Sequence, residues 1–399
     1  MLTARALLRA SIIQCLAAAA QGQARDTGAV RPLAPGVTHQ QVIDPRGPFV
    51  IHIVRVDLRR RDVALQHARA LDQFKGRERT TDMVRRATNG GATVLAAINA
   101  DFFSLATGEN ENNQVIAGEW WKGLKVTDSP YDTYDNIHSQ LAIDAAGRPR
   151  LDRFMLDGTA WAHGTPTPII TLNFNPMGNP EGTAFYTSRF GATTPRDTTR
   201  QTAEARLDSV GRRGDTLVYV RHGAVAASSG SAIPAHGAVL AAYGAGARQR
   251  EVQAMADGDT VKVLLATLPR LPGSPAPSLI IGGWPRILRD GAIVATEAIT
   301  VEGTISRNAE ARHPRSAVGV SRDGNTMLLV TVDGRSTRSV GMTLVELATL
   351  MRRLGAWQAM NFDGGGSTTM VIGGAVVNVP SDSAGERAVG NALFVMKKR

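Results

Sequence analysis

Several short polar clusters, each beside an apolar run, carry the residue types that could do chemistry in this 399-residue chain. The longest is Asn361-Phe-Asp-Gly-Gly-Gly-Ser-Thr-Thr-Met370. Its three glycines, Gly364, Gly365 and Gly366, permit positive φ and close backbone approach, so N–H groups there can point at an oxygen-rich ligand. Asn361 and Asp363 stand two apart and would face the same way on a continuing strand, one offering an amide, the other a carboxylate. The same residues also read as a plain tight turn with Asp363 bonded to its own backbone. Asn99-Ala-Asp101 repeats the amide–carboxylate spacing at the end of another apolar run. His313-Pro-Arg315 and Asp333-Gly-Arg335 each set an arginine at a strand boundary, where its fork could grip phosphate or carboxylate bidentately. Singly, each arginine reads as a surface ion pair and His313 as a structural histidine. Glu386-Arg387 precedes the last apolar run and is either a site pair or a solvated loop.

The elements that must hold these clusters are legible in outline. Val50–Leu58 and Thr93–Ile98 are predicted strands from their alternation and β-branched residues. A short helix is expected from Thr80, capped by threonine and stopped at Asn89-Gly-Gly. Strand candidates recur through 110–275: 140–144, 169–174, 216–221 and 260–267. Beyond them come Ser278–Gly282, a hairpin of 317–321 and 327–332, then 356–362, 368–372, 375–379 and 390–396. Thr343-Leu-Val-Glu346 is a capping box opening a helix with one apolar face, stopped by Gly355. That helix, between 327–332 and 356–362, would make one βαβ element. The expected class is α+β or mixed α/β: a β-rich sheet core with a few packed helices.

Absences and the ends narrow the field. No His-Glu-x-x-His, no Gly-x-Ser-x-Gly and no phosphate-loop lysine near Gly364–Thr368 is present. Arg5 and Arg9, an apolar run from Ala10 to Ala20 and small residues before Ala24 follow the order of a secretory signal. Residues 1–24 are therefore expected to be a cleaved signal peptide, 25–47 a polar lead-in, and the mature protein secreted or periplasmic. Cleavage would remove Cys15, the only cysteine, and with it any disulfide or thiol chemistry. The formal charge of +10 comes mostly from arginine, which reads as codon bias or as a preference for anionic partners. Nucleic acid is not expected, because the arginines are scattered and aromatics are too sparse to interleave with them. No later stretch is apolar enough to span a membrane.

Taken in order, Ile98-Asn-Ala-Asp-Phe-Phe, Gly282-Gly-Trp-Pro, His313-Pro-Arg-Ser-Ala-Val-Gly, Val332-Asp-Gly-Arg, Gly341-Met-Thr-Leu, Asn361 to Met370 and Asn378-Val-Pro-Ser resemble the phosphodiester glycosidase family. The likeness is dense over 278–398, reaches back to about 93, and is poor across 110–275, within an expected domain of 48–399. Asp101 departs from it, since the family often has a small residue there.

The resemblance implies hydrolysis of a sugar-1-phosphodiester at the C1–O–P bond to free sugar and phosphomonoester. It assigns Asp363 and Asp333 to base or electrostatic roles, with Asp101 and Glu386 as reserve acids. Arg315 and Arg335 would hold the phosphate, with Arg387 beside them. Asn99 and Asn361 would hold sugar hydroxyls, and Gly364, Gly365, Gly366 and Ser367 the turn around the ligand. No cofactor is required, although Asp101, Asp333 and Asp363 could converge on calcium or magnesium. Two alternatives stand beside this: a non-catalytic binding module for phosphate-containing glycans, and a metal-dependent exported phosphodiesterase.

Overall fold

The computed structural model describes residues 26–127, 132–176, 181–273 and 277–398. The expected signal peptide, with Cys15, lies outside the described residues. The strands gather into a nine-stranded, a 13-stranded and a five-stranded sheet, with one further two-stranded pair.

The nine- and five-stranded sheets face each other across an apolar layer. Three neighbouring strands of the larger sheet show why. Arg315–Val320, Thr326–Val332 and Gln358–Phe362 are buried along almost their whole length because both of their faces are covered. Val318, Met327, Leu329, Met360 and Phe362 enter the layer between the sheets, where Ile98, Met370 and Leu393 of the smaller sheet meet them. Ala317, Leu328, Val330 and Ala359 point the opposite way, under the helix Leu344–Arg353. That helix opens on the expected capping box: Thr343 accepts from the Glu346 N–H, and Glu346 accepts from the Thr343 N–H. The helix Thr80–Asn89 covers the far side of the five-stranded sheet, with Met83 and Val84 buried. The 13-stranded sheet carries residues 114–282 around a separate core, yet sends Leu141, Leu279 and Ile281 into the sandwich layer.

This corrects the expected class. The protein is mostly β, with 45% of residues in strands and 12% in helices, rather than α+β or mixed α/β. The helices cover sheet faces instead of alternating with strands, and among the described residues neighbouring strands are antiparallel except for Thr171–Leu172 beside Thr183–Thr187. The helix Leu344–Arg353 does link two parallel strands, but Arg315–Val320 lies between them and pairs antiparallel with each. Residues 26–44, read as a lead-in, contribute the strands Asp26–Thr27, Arg31–Ala34 and Val37–Asp44 to the nine-stranded sheet. Thr80 does not cap its helix: the residue before the first turn is Arg79, and the Glu386 carboxylate takes the Thr81 N–H instead.

Removing the Thr343 hydroxyl strands one N–H at the helix start. Thr343→Ala should cost about 1 kcal/mol of stability in urea titration, with no change in the strands beneath.

Candidate active site

The strand Gln358–Phe362 runs out at Asp363, and Arg315 begins the neighbouring strand, so antiparallel pairing brings these two groups to one end of the sheet. Asn99 fixes that end from the opposite sheet. Its Nδ2 donates to the Asp363 carbonyl at 2.7 Å, while its Oδ1 accepts from the Ser316 hydroxyl at 2.7 Å and the Thr369 N–H at 3.0 Å. The Asp363 N–H donates to the Ala100 carbonyl at 2.7 Å. Four hydrogen bonds thus pin the backbone on which the candidate carboxylate sits.

After Asp363 the chain makes a single tight turn over Gly365–Ser367. Gly365 has φ +59, and its N–H goes to the Pro314 carbonyl. A Cβ on Gly366 would fall on Asp382 and the Arg387 guanidinium. The glycines therefore let Arg387 and Pro314 close around the turn. The Gly364 N–H is taken by the Asp363 carboxylate, so the backbone donors of Gly364 and Gly365 are engaged within the protein.

Asp363, Gly364 and Gly365 border a cavity of about 230 Å³. One wall is aromatic and aliphatic, formed by Phe102, Phe103, Leu105, Trp284 and Ile305; the other is cationic, formed by Arg307, Arg315, Arg335 and Arg387 with His313. Arg315 is 1% exposed. Its fork donates to the carbonyls of Met342 (2.8 Å), Asn308 (2.6 Å) and Ala311 (3.0 Å) and to Asn308 Oδ1 (3.2 Å), with no carboxylate among them. Burial and the neighbouring Arg335 push its pKa down to about 9, which leaves it charged at neutral pH. Arg335 makes one side-chain bond, to Ser381, and no ion pair among the described residues. Arg387 differs, since Asp382 neutralises it through two hydrogen bonds at 2.7 and 3.1 Å. Burial and the arginines around it hold the His313 imidazole below its ordinary pKa.

Burial pushes Asp363 up to about 6, against the opposing pull of the Ser367 hydroxyl and Arg387. Asp101 lies buried next to it and is also pushed up to about 6 by burial, while both its oxygens accept from Asn112. A Cβ on Gly282 would collide with Asp101, so glycine there leaves room for this second carboxyl.

Of the residues expected from the sequence, Asp363, Arg315, Arg335, Gly364, Gly365 and Arg387 border the cavity. Asn99, Gly366, Ser367 and Asp101 support it from beneath. Three lie elsewhere. Asp333 is buried, accepts from the Val379 N–H and borders none of the cavity; burial raises it to about 6. Asn361 donates to the Trp284 carbonyl at 2.7 Å, behind the aromatic wall. Glu386 serves the start of the helix Thr80–Asn89. Of the three aspartates read as potential metal ligands, Asp333 stands apart from Asp363 and Asp101, and among the described residues no group of three or more His, Cys, Asp or Glu side chains could hold a metal ion. Sequence reasoning missed Phe102, Phe103, Leu105, Ile305, Arg307 and Asn308, and overlooked Trp284 inside Gly282-Gly-Trp-Pro.

The cavity of this β-sandwich sets an acid against a cluster of arginines, a lining whose charge suits an anion. Residues 211–396 match the family model described as phosphodiester glycosidase. The chain is 38% identical over 96 residues to the SPbeta prophage-derived protein YomE of Bacillus subtilis, covering 24% of this chain and 15% of that one. It is 33% identical over 110 residues to the N-acetylglucosamine-1-phosphodiester alpha-N-acetylglucosaminidase of Mus musculus, covering 26% and 21%. These matches thus span about a fifth or less of the curated relatives' length. A solved structure of a hypothetical protein from Synechocystis shares the fold, with a TM-score of 0.70 at 22% identity over 94% of this chain and 64% of that one. Among the described residues no helix is long and apolar enough to cross a membrane.

Asn99→Ala would leave the Ser316 hydroxyl, the Thr369 N–H and the Asp363 carbonyl without their partner. A loss of about 3 kcal/mol is expected by urea denaturation, far more than a truncation at an exposed strand end.

Proposed function

We propose that this protein is an exported glycosidase that hydrolyses the C1–O–P bond of a sugar-1-phosphodiester, giving free sugar and a phosphomonoester. The observation that carries the reading is Arg315: a buried, charged guanidinium held only by neutral acceptors, at the cavity that Asp363 also borders. A buried cation without a counter-ion is costly unless a ligand supplies the charge. Four of the five Arg315 N–H groups are spent on those acceptors, so Arg315 offers a phosphodiester its charge and one N–H, while the Arg335 fork, bonded only to Ser381, can supply paired N–H donors to two phosphate oxygens with Arg307 beside it. The sugar ring then lies against Trp284 and the two phenylalanines, whose faces suit its C–H surface.

Cleavage at C1 builds positive charge on the sugar and negative charge on the departing phosphate oxygen. The arginines stabilise the second, and ionised Asp363 the first, either directly or by taking a proton from the attacking water. Phosphate is a good leaving group, so the reaction needs little acid assistance. Export, substrate class and the release of both products are parts of the same proposal, and no metal is assigned a role in it.

Hydrolysis of a panel of sugar-1-phosphodiesters tests it, with free reducing sugar and phosphomonoester both measured. Asp363→Asn and Arg315→Ala should each lower kcat/KM by about 10³-fold or more while remaining folded, and EDTA should leave the rate unchanged. Wild-type rates in either variant would remove that residue from the mechanism; loss of activity in EDTA would favour a metal-dependent phosphodiesterase.

The pH dependence follows from the raised pKa of Asp363. The ionised form is the active one, so kcat/KM should climb through about pH 6 and level above it. An acid-active profile that fell above that value would instead make Asp363 a proton donor.

A further inference from the structure

The strands that carry the candidate active site have a second end. Arg315–Val320 begins at the cavity and ends at Val320; Gln358–Phe362 begins at Gln358 and ends at the cavity. At the far end, about 17 Å away at 3.3 Å per residue, Val320 and Gln358 border a larger cleft of about 900 Å³. One segment reaches both sites: Trp284 lines the first, and Arg286 and Arg289 line the second.

Six arginines line this cleft, Arg148, Arg150, Arg270, Arg286, Arg289 and Arg322, against three aspartates. The aspartates are occupied. Asp323 accepts from Ser321 and Asn325 within its own turn, Asp290 accepts from Gln358, and Asp152 accepts from the Arg153 N–H and stands 3.7 Å from Arg286. Arg270 and Arg150 are paired outside the cleft, with Asp157 at 2.6 Å and Asp144 at 3.5 Å. Arg148, Arg289 and Arg322 have no ion pair to a carboxylate among the described residues; Arg322 lies over the Trp357 ring, 4.8 Å from its centroid. Arg286 is 7% exposed and donates to Gln358 Oε1 and the Leu288 carbonyl. Burial lowers its pKa, and the Arg289 charge adds to that effect. The cleft therefore carries excess positive charge around a buried, rigidly held guanidinium, in the form of a concave site rather than a scattered surface.

We propose that this cleft is a second anion site, binding phosphate groups further along a sugar–phosphate chain whose terminal sugar is held at Asp363. The chemistry of the occupant rests on the glycosidase reading; the anion site itself rests on the arginines. Spanning both sites requires a chain of several repeats, so the cleft selects polymers over single sugar phosphodiesters. Its contacts lie remote from the bond that breaks, and its effect falls on KM rather than on kcat.

The test uses the full chain and a fluorescently labelled, phosphodiester-linked glycan hexamer, read by anisotropy. Arg148 and Arg322 sit on exposed turns, so Arg148→Glu/Arg322→Glu should fold normally, as checked by thermal melting. In an Arg315→Ala background, which weakens the first site, that double charge reversal should weaken hexamer binding about tenfold or more at low salt. Arg289→Gln should weaken it by a smaller factor. In the otherwise wild-type chain the double variant should raise KM for the hexamer and leave hydrolysis of a single sugar-1-phosphodiester unchanged. Unaltered hexamer binding in both variants overturns the proposal. Equal affinity for a single-stranded oligonucleotide of the same charge overturns the glycan assignment. Loss of hexamer binding in a protein that hydrolyses nothing would uphold the cleft and reject the glycosidase reading.

Discussion

Everything at the candidate site hangs on the Asn99 side chain. One amide reaches from the five-stranded sheet to three segments around the neighbouring one: the end of the Asp363 strand, the start of the Arg315 strand and the chain beyond the glycine turn. Apolar packing between the sheets sets their separation, but it is non-directional and would tolerate sliding. Directional bonds at the sandwich edge remove that freedom. They fix the carboxylate of Asp363 relative to the guanidinium of Arg315 without either side chain touching the other.

Around that pin, the two kinds of charge are held differently. Asp363 and Asp101 are kept close and away from water, which raises both and makes the pair reluctant to ionise together. Arg315 keeps its charge because four neutral acceptors replace its hydration shell. The aromatic wall completes the contrast: Trp284 stacks on His138 on one side and meets Phe102 edge-on, so the apolar wall is itself rigidly supported.

Much of this was legible in the sequence, and the failures have physical causes. The apolar runs beside them put Asp363 and Arg315 at strand ends, where the structure has them, and the glycine run marked a turn needing close approach. Spacing says nothing about where an amide points. Asn99 and Asn361 were read as sugar ligands, but both are committed to backbone groups from distant segments. Glu386 was indistinguishable from a site acid because its partner, Thr81, lies 305 residues away. Asp333 shares its apolar-run-plus-acid pattern with Asp363 but turns toward Val379. The fold class was misread because a helix with a proper capping box looks the same whether it joins adjacent parallel strands or strides over a third. Arg307 gave no signal at all, since it enters the site from the short helix Ser306–Glu310.

The way Arg315 is held has a kinetic consequence. Its cage of neutral acceptors is complete without a ligand, so the pocket keeps a positive charge that attracts a phosphate dianion, which on the proposed reading includes the monoester product. A doubly charged product grips such a site at least as firmly as a singly charged diester. Under the proposed glycosidase reading, departure of the phosphomonoester rather than bond cleavage would set the ceiling on turnover, and ambient phosphate would compete for the same arginines.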